Sequence, residues 1–107
     1  MPMIHIEYDD TKLDDKDIIA VSNAVQKIVS EATQIKDVFV YANSARIKVG
    51  VAPIEVFVRM SASKTDDRDR LFNDIRDGIS KWKTESGFNH PVNLTLIPMD
   101  WRFEVNV

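Results

Sequence analysis

Residues 53–60 read PIEVFVRM, and the fold turns on how that run is read. Ile54, Val56 and Val58 recur at every second position, the period of a strand with two distinct faces. One face is aliphatic, and the opposite face presents Phe57. More apolar surface is on offer than one layer of helices covers. Residues 3–8, MIHIEY, alternate in the same way, with Ile4 and Ile6 on one face and Met3, His5 and Glu7 on the other. Pro2 stands in front of that first run and Pro53 opens the second, 51 residues apart. Self-similarity at such a spacing signals a duplicated unit.

Each strand-like run leads into a polar crossover and then a change of period. After DDTKLDD, the residues Ile18, Val21, Val25, Ile28, Val29 and Ala32 recur at helical spacing from about Asp14, and Asp14, Asp15 and Asp17 suit the positive end of a helix dipole. In the second half SASKTDDRDR repeats the polar crossover and acidic start, and Leu71, Phe72, Ile75, Ile79 and Trp82 form the apolar stripe, which Gly87 and Pro91 bring to a stop. DVFVYA (37–42) and VNLTLIP (92–98) then read as strands. NSARIKVG reads as a bend with a short extended piece, and WRFEV (101–105) as a short closing strand.

The expected fold is therefore α/β: duplicated β-α-β units, residues 2–50 and 53–107, forming a four-stranded mixed sheet with two helices on one face and short extra strands. A split β-α-β sheet of ferredoxin type is the rival arrangement of the same elements. The uncovered sheet face predicts association of subunits.

Composition removes several functions. A chain of 107 residues is one domain, and its longest apolar runs are only a few residues, too short to span a bilayer. The first residues lack the pattern of a secretory signal, and the absence of cysteine removes disulfides, thiolate zinc sites and thiol nucleophiles, so a cytoplasmic location is expected. A net charge of −3 argues against nucleic acid as a partner. His5 and His90 lack metal-ligand spacing, DDTKLDDKD lacks the glycine and closing glutamate of a calcium loop, and three glycines give no phosphate cradle. No metal or cofactor is expected. No serine has an elbow or a histidine placed to activate it.

Met1-Pro2 directly before a strand, the doubled β-α-β pattern and APIEVFVRM at the start of the second unit together resemble the tautomerase superfamily, in its 5-carboxymethyl-2-hydroxymuconate isomerase and macrophage migration inhibitory factor branches or an uncharacterised branch beside them. The resemblance covers the whole chain. It implies a homotrimer with the sheets facing an inner barrel, and a catalytic base at Pro2, exposed and reactive once Met1 is removed, moving a proton between carbon and oxygen of a small 2-keto or enol carboxylic acid without a cofactor. An α-amine titrates near ~7.7–8.0 and a secondary amine higher, so burial or nearby cations must lower it for the free base to work near neutrality.

A substrate carboxylate needs a cation. Lys12 matches by position an arginine of the small 4-oxalocrotonate-type members; VFVYA lacks the arginine that related enzymes carry in the second strand, and the nearest cation is Arg46. The expected order is Arg46, Lys12, then Arg59. Tyr41 and Trp101 are the expected aromatic walls. The other readings are a catalytically silent trimer of the same fold, and a dehalogenase-like hydratase, for which the sequence supplies no clear constellation.

Overall fold

The computed structural model describes residues 2–62 and 67–107. The elements run β1 (Met3–Tyr8), α1 (Asp15–Thr33), β2 (Phe39–Asn43), β3 (Ile54–Ser61), α2 (Arg68–Ser86) and β4 (Asn93–Met99). They form one four-stranded sheet in the order β2-β1-β3-β4. β1 and β2 are parallel, β3 and β4 are parallel, and the two units meet through the antiparallel pair β1 and β3. No strand is inserted between the two strands of either unit, which excludes the split arrangement.

The turn from β1 into α1 is held by Asp9, whose carboxylate accepts from the Thr11 hydroxyl at 2.6 Å and the Thr11 N–H at 3.0 Å. The Asp9 N–H donates to the Pro53 carbonyl at 3.0 Å, so the same residue ties the first turn to the start of β3. α1 then begins with a capping box: the Asp14 side chain accepts from the Asp17 N–H, and the Asp17 side chain accepts from the Asp14 N–H. Such a cap stabilises by about 1 kcal/mol. α2 is capped by Asp67 and ends at Gly87, whose positive φ of 73° lets its N–H return to the Lys83 carbonyl at 3.0 Å. The crossover SASKTDDRDR lies partly outside the described residues.

Both helices cover one face. Ile18, Val21, Val25 and Val29 of α1 and Leu71, Ile75 and Ile79 of α2 are buried with Ile4, Ile6, Ile54, Val56, Val58 and Met60 of the sheet. Each such side chain contributes roughly 1.5–3 kcal/mol through burial. Ile4 and Ile6 are fully buried, while Met3 and His5 on the opposite face are half-buried, as the alternation requires. No helix among the described residues covers that opposite face. Its rows follow from the pairing register: Phe39, Met3, Arg59 and Ile97, then Tyr41, His5, Phe57 and Thr95, then Asn43, Glu7, Glu55 and Asn93.

The expected extra strands are corrected. Neither the stretch around Ile47–Val51 nor WRFEV forms a strand, although Ile47, Val49, Val51, Phe103 and Val105 alternate and are exposed. Alternation marks a segment with two unlike faces, whereas a strand also needs a hydrogen-bonding neighbour, and these segments pair with no strand of their own chain among the described residues. No described helix is long and apolar enough to cross a membrane.

Candidate active site

Pro2 lies one residue before β1, and its carbonyl accepts from the Phe39 N–H at 3.3 Å, which extends the β1 and β2 ladder to the start of the sheet. Continuing the antiparallel register by one step sets it opposite Met60. Its ring is fully buried, where the sequence suggested an exposed residue. Pro2 has the same parity as Ile4 and Ile6, so the pleat turns it toward the helix side. Its nitrogen is an amide while Met1 is attached, and Met1 lies outside the described residues.

The strand directions decide what stands near Pro2. β2 begins at this end because it is parallel to β1, while β3 and its parallel neighbour β4 finish here. The residues leading into β2 therefore flank Pro2, and among them is an exposed lysine, Lys36, whose carbonyl accepts from the Val38 N–H at 3.1 Å. Trp101, half-buried, follows β4 at the same end. Beyond it Phe103 and Glu104 reach the β2 side of the open face, where with Met3, Phe39 and Tyr41 they border a hollow of about 400 Å³.

Lys12 and Arg46 follow the other ends of β1 and β2. From Pro2 to Tyr8 the strand covers about 20 Å at ~3.3 Å per residue, so neither cation meets Pro2 of its own chain. Both are exposed. Their neighbour Lys48 is committed to the fold: its ammonium donates to Asp10 at 2.9 Å, Ser44 at 3.2 Å and the Ala45 carbonyl at 2.7 Å, closing the far end of the sheet.

Arg59 and Tyr41 are brought together by a residue that the sequence left as packing. Arg59 Nη1 lies 2.9 Å from His5 Nδ1, and the His5 ring stacks on Tyr41 with centroids 5.5 Å apart and planes 23° apart. The guanidinium carbon lies 5.6 Å from the Phe57 ring centroid. Arg59 stands opposite Met3, but its head group is led along the sheet to His5, away from Pro2.

The residues missed from sequence are Lys36, Phe103 and His5. Lys36 was accessible in principle, because a parallel β-α-β unit must bring the approach to its second strand beside the start of its first. Phe103 and His5 depend on the path of the last segment and on the pairing register.

The duplicated β-α-β sheet is a fold that this chain shares with solved structures of tautomerase-superfamily proteins. Among solved structures, the F6 wild-type asymmetric trimer of fused 4-OT matches with a TM-score of 0.65 at 10% identity, over 94% of this chain and 91% of that one. The macrophage migration inhibitory factor-like protein of Entamoeba histolytica matches with a TM-score of 0.58 at 14% identity, over 96% and 95%. FG41 malonate semialdehyde decarboxylase, inhibited by 3-bromopropiolate, matches with a TM-score of 0.61 at 17% identity, over 98% and 91%. At these identities the likeness is one of fold. No protein-family model and no curated protein matches the sequence.

Proposed function

We propose that the protein is a cofactor-independent keto–enol tautomerase of small 2-keto or enol carboxylic acids, working as a homotrimer with Pro2 as general base after loss of Met1. The observation that carries the reading is the placement of Pro2 at the head of an inner strand, buried and anchored to β2 through Phe39, within a tautomerase fold. A secondary amine freed at that position starts out largely desolvated, which disfavours its charged form and keeps a fraction of it basic near neutral pH. It takes the proton from the enol oxygen and delivers it to the adjacent carbon as the carbonyl forms, ending as it began.

Lys36, exposed on the approach to β2, is one cation at the Pro2 end of the sheet among the described residues, and in this reading it holds the substrate carboxylate as a point charge. Arg46 and Lys12 reach a Pro2 only from a neighbouring subunit. Trp101 and Phe103 give the apolar wall. Trimerisation is supported by the uncovered sheet face with Phe39 and Tyr41 on it, and by the trimers of fused 4-OT among the structural neighbours.

The test is the intact mass of the purified protein, paired with the rate of phenylpyruvate tautomerisation for the native chain and Pro2→Ala. The expected result is a mass lacking Met1 and a loss of at least ~100-fold on substitution, the lower range for a positioned general base. A retained Met1 without activity leaves the silent reading, in which the fold persists as a binding or structural protein.

A further inference from the structure

The open face of the sheet holds a cation that no described residue of its own chain neutralises. Arg59 Nη1 lies 2.9 Å from His5 Nδ1. A guanidinium only donates, so Nδ1 is the acceptor and the ring proton sits on Nε2. Aromatic rings fix the pair from both sides: Tyr41 stacks on His5 at 5.5 Å, and Phe57 lies 5.6 Å from the guanidinium carbon. Arg59 and His5 are both half-buried.

Among the described residues no carboxylate pairs with Arg59, and its one hydrogen-bond partner is the His5 imidazole. The acids of the next row are Glu7 and Glu55. Glu55 already accepts from the Asn93 amide at 2.9 Å, and Glu7 faces Glu55 across the β1 and β3 ladder. Met3, Phe39 and Ile97 complete its row among the described residues, with Phe57 two positions back along β3. A guanidinium in such company, with N–H groups that His5 does not use, is suited to bidentate contact with an oxyanion. Covering the face with another subunit would raise the cost of leaving it unpaired.

The geometry points to an oxyanion-binding site on the open sheet face, in which Arg59 grips a small carboxylate- or phosphate-type anion and His5 is the positioning residue that aims the guanidinium. The site is separate from Pro2, because His5 lies three residues down β1, about 10 Å at ~3.3 Å per residue. It does not depend on the chain being a tautomerase.

The experiment is NMR of the full-length protein, following the Arg59 side-chain and His5 ring signals during titration with inorganic phosphate and, separately, with acetate at constant ionic strength. Saturable shifts at both residues are expected, with the same Kd in Pro2→Ala. Arg59→Gln should weaken binding at least ~10-fold, as loss of a charge-assisted bond does. His5→Phe should weaken it by several-fold, and His5→Gln, which keeps an acceptor for Arg59, should restore most of the affinity. Preference for phosphate or for acetate identifies the anion class, and either supports the site. The proposal is overturned if neither anion shifts the native signals saturably, a result that requires no variant to fold, or if Arg59→Gln binds with unchanged Kd. Because activity is not the readout, an inactive Pro2 leaves this outcome unaffected.

Discussion

Gly78, in the interior of α2, should resist the usual benefit of alanine. In an exposed helix, Gly→Ala stabilises by about 0.8–1.0 kcal/mol through helix propensity. Here a β-carbon at position 78 would lie 2.7 Å from Ile28 Cγ2 on α1 and 3.4 Å from Ile28 Cγ1. Carbon atoms pack best at about 3.5–4.0 Å, so the closer contact is short by roughly 1 Å. Cγ2 is bonded directly to a branched β-carbon with a stiff χ1, so relief requires a new Ile28 rotamer or a wider helix spacing. Overpacking of this kind costs about 1–3 kcal/mol. Propensity offsets part of that, and Gly78→Ala should destabilise by roughly 1 kcal/mol. With Ile28→Ala already present the clashing atoms are gone, and the same substitution should stabilise by about 0.8 kcal/mol. Urea unfolding followed by far-UV circular dichroism measures both steps, at one protein concentration because association shifts apparent stability. If Gly78→Ala stabilises equally in both backgrounds, α1 and α2 do not meet closely at Gly78 and Ile28.

Other outcomes follow from the placement of charges and of the open face. Lys36→Ala should raise KM for a 2-keto acid by about 10-fold with a smaller change in kcat, while Arg46→Ala has the larger effect only if a neighbouring subunit supplies the carboxylate partner; steady-state kinetics on the two variants separates these cases. Light scattering at micromolar concentration should give three times the 12.2 kDa of one chain, and a monomer mass would refute the trimer. The Thr11 hydroxyl, then the Thr11 N–H, hold the Asp9 carboxyl below its ordinary range against the opposing push of burial. A depressed folded pKa contributes stability that is complete above the unfolded value of about 3.9 and is lost as pH falls through the folded value. Asp9→Asn should therefore cost stability at pH 7 and progressively less below about pH 4, measured by urea unfolding at each pH; a cost that does not shrink in acid would refute the role of the ionised carboxylate.

The first strands of the two units were the most legible elements, because strict alternation at Ile4 and Ile6 and at Ile54, Val56 and Val58 admits one reading. The caps at Asp14 and Gly87 were legible for the same local reason: their chemistry is complete within a few residues. β2 begins at Phe39 rather than Asp37, since the approach through Lys36 and Val38 is used as a turn before pairing begins. WRFEV misled because alternation reports unlike faces and says nothing of a partner. Pro2 was a candidate from its position alone, directly after Met1 and before the first strand. The expected order of cations rested on the missing arginine of the second strand and on a positional likeness for Lys12, whereas the strand directions put Arg46 and Lys12 beyond the far ends of β2 and β1 and the approach to β2, with Lys36, at the Pro2 end. His5 and Arg59 are 54 residues apart, and only the antiparallel register makes them neighbours.

The sheet order also bears on how the chain is made. The first strand of each unit is an inner strand, so the edge of β1 that receives β3 stays empty until residues 54–61 have been synthesised. Until then residues 2–43 are a two-stranded sheet with one helix, a size at the margin of independent stability, and the free edge of β1 can template pairing with another chain. The 18 residues between Asn43 and Ser61 take about 1–4 s at ~5–20 residues per second. That interval, set by the connectivity of the sheet, is when the nascent protein is most exposed to its neighbours on the polysome.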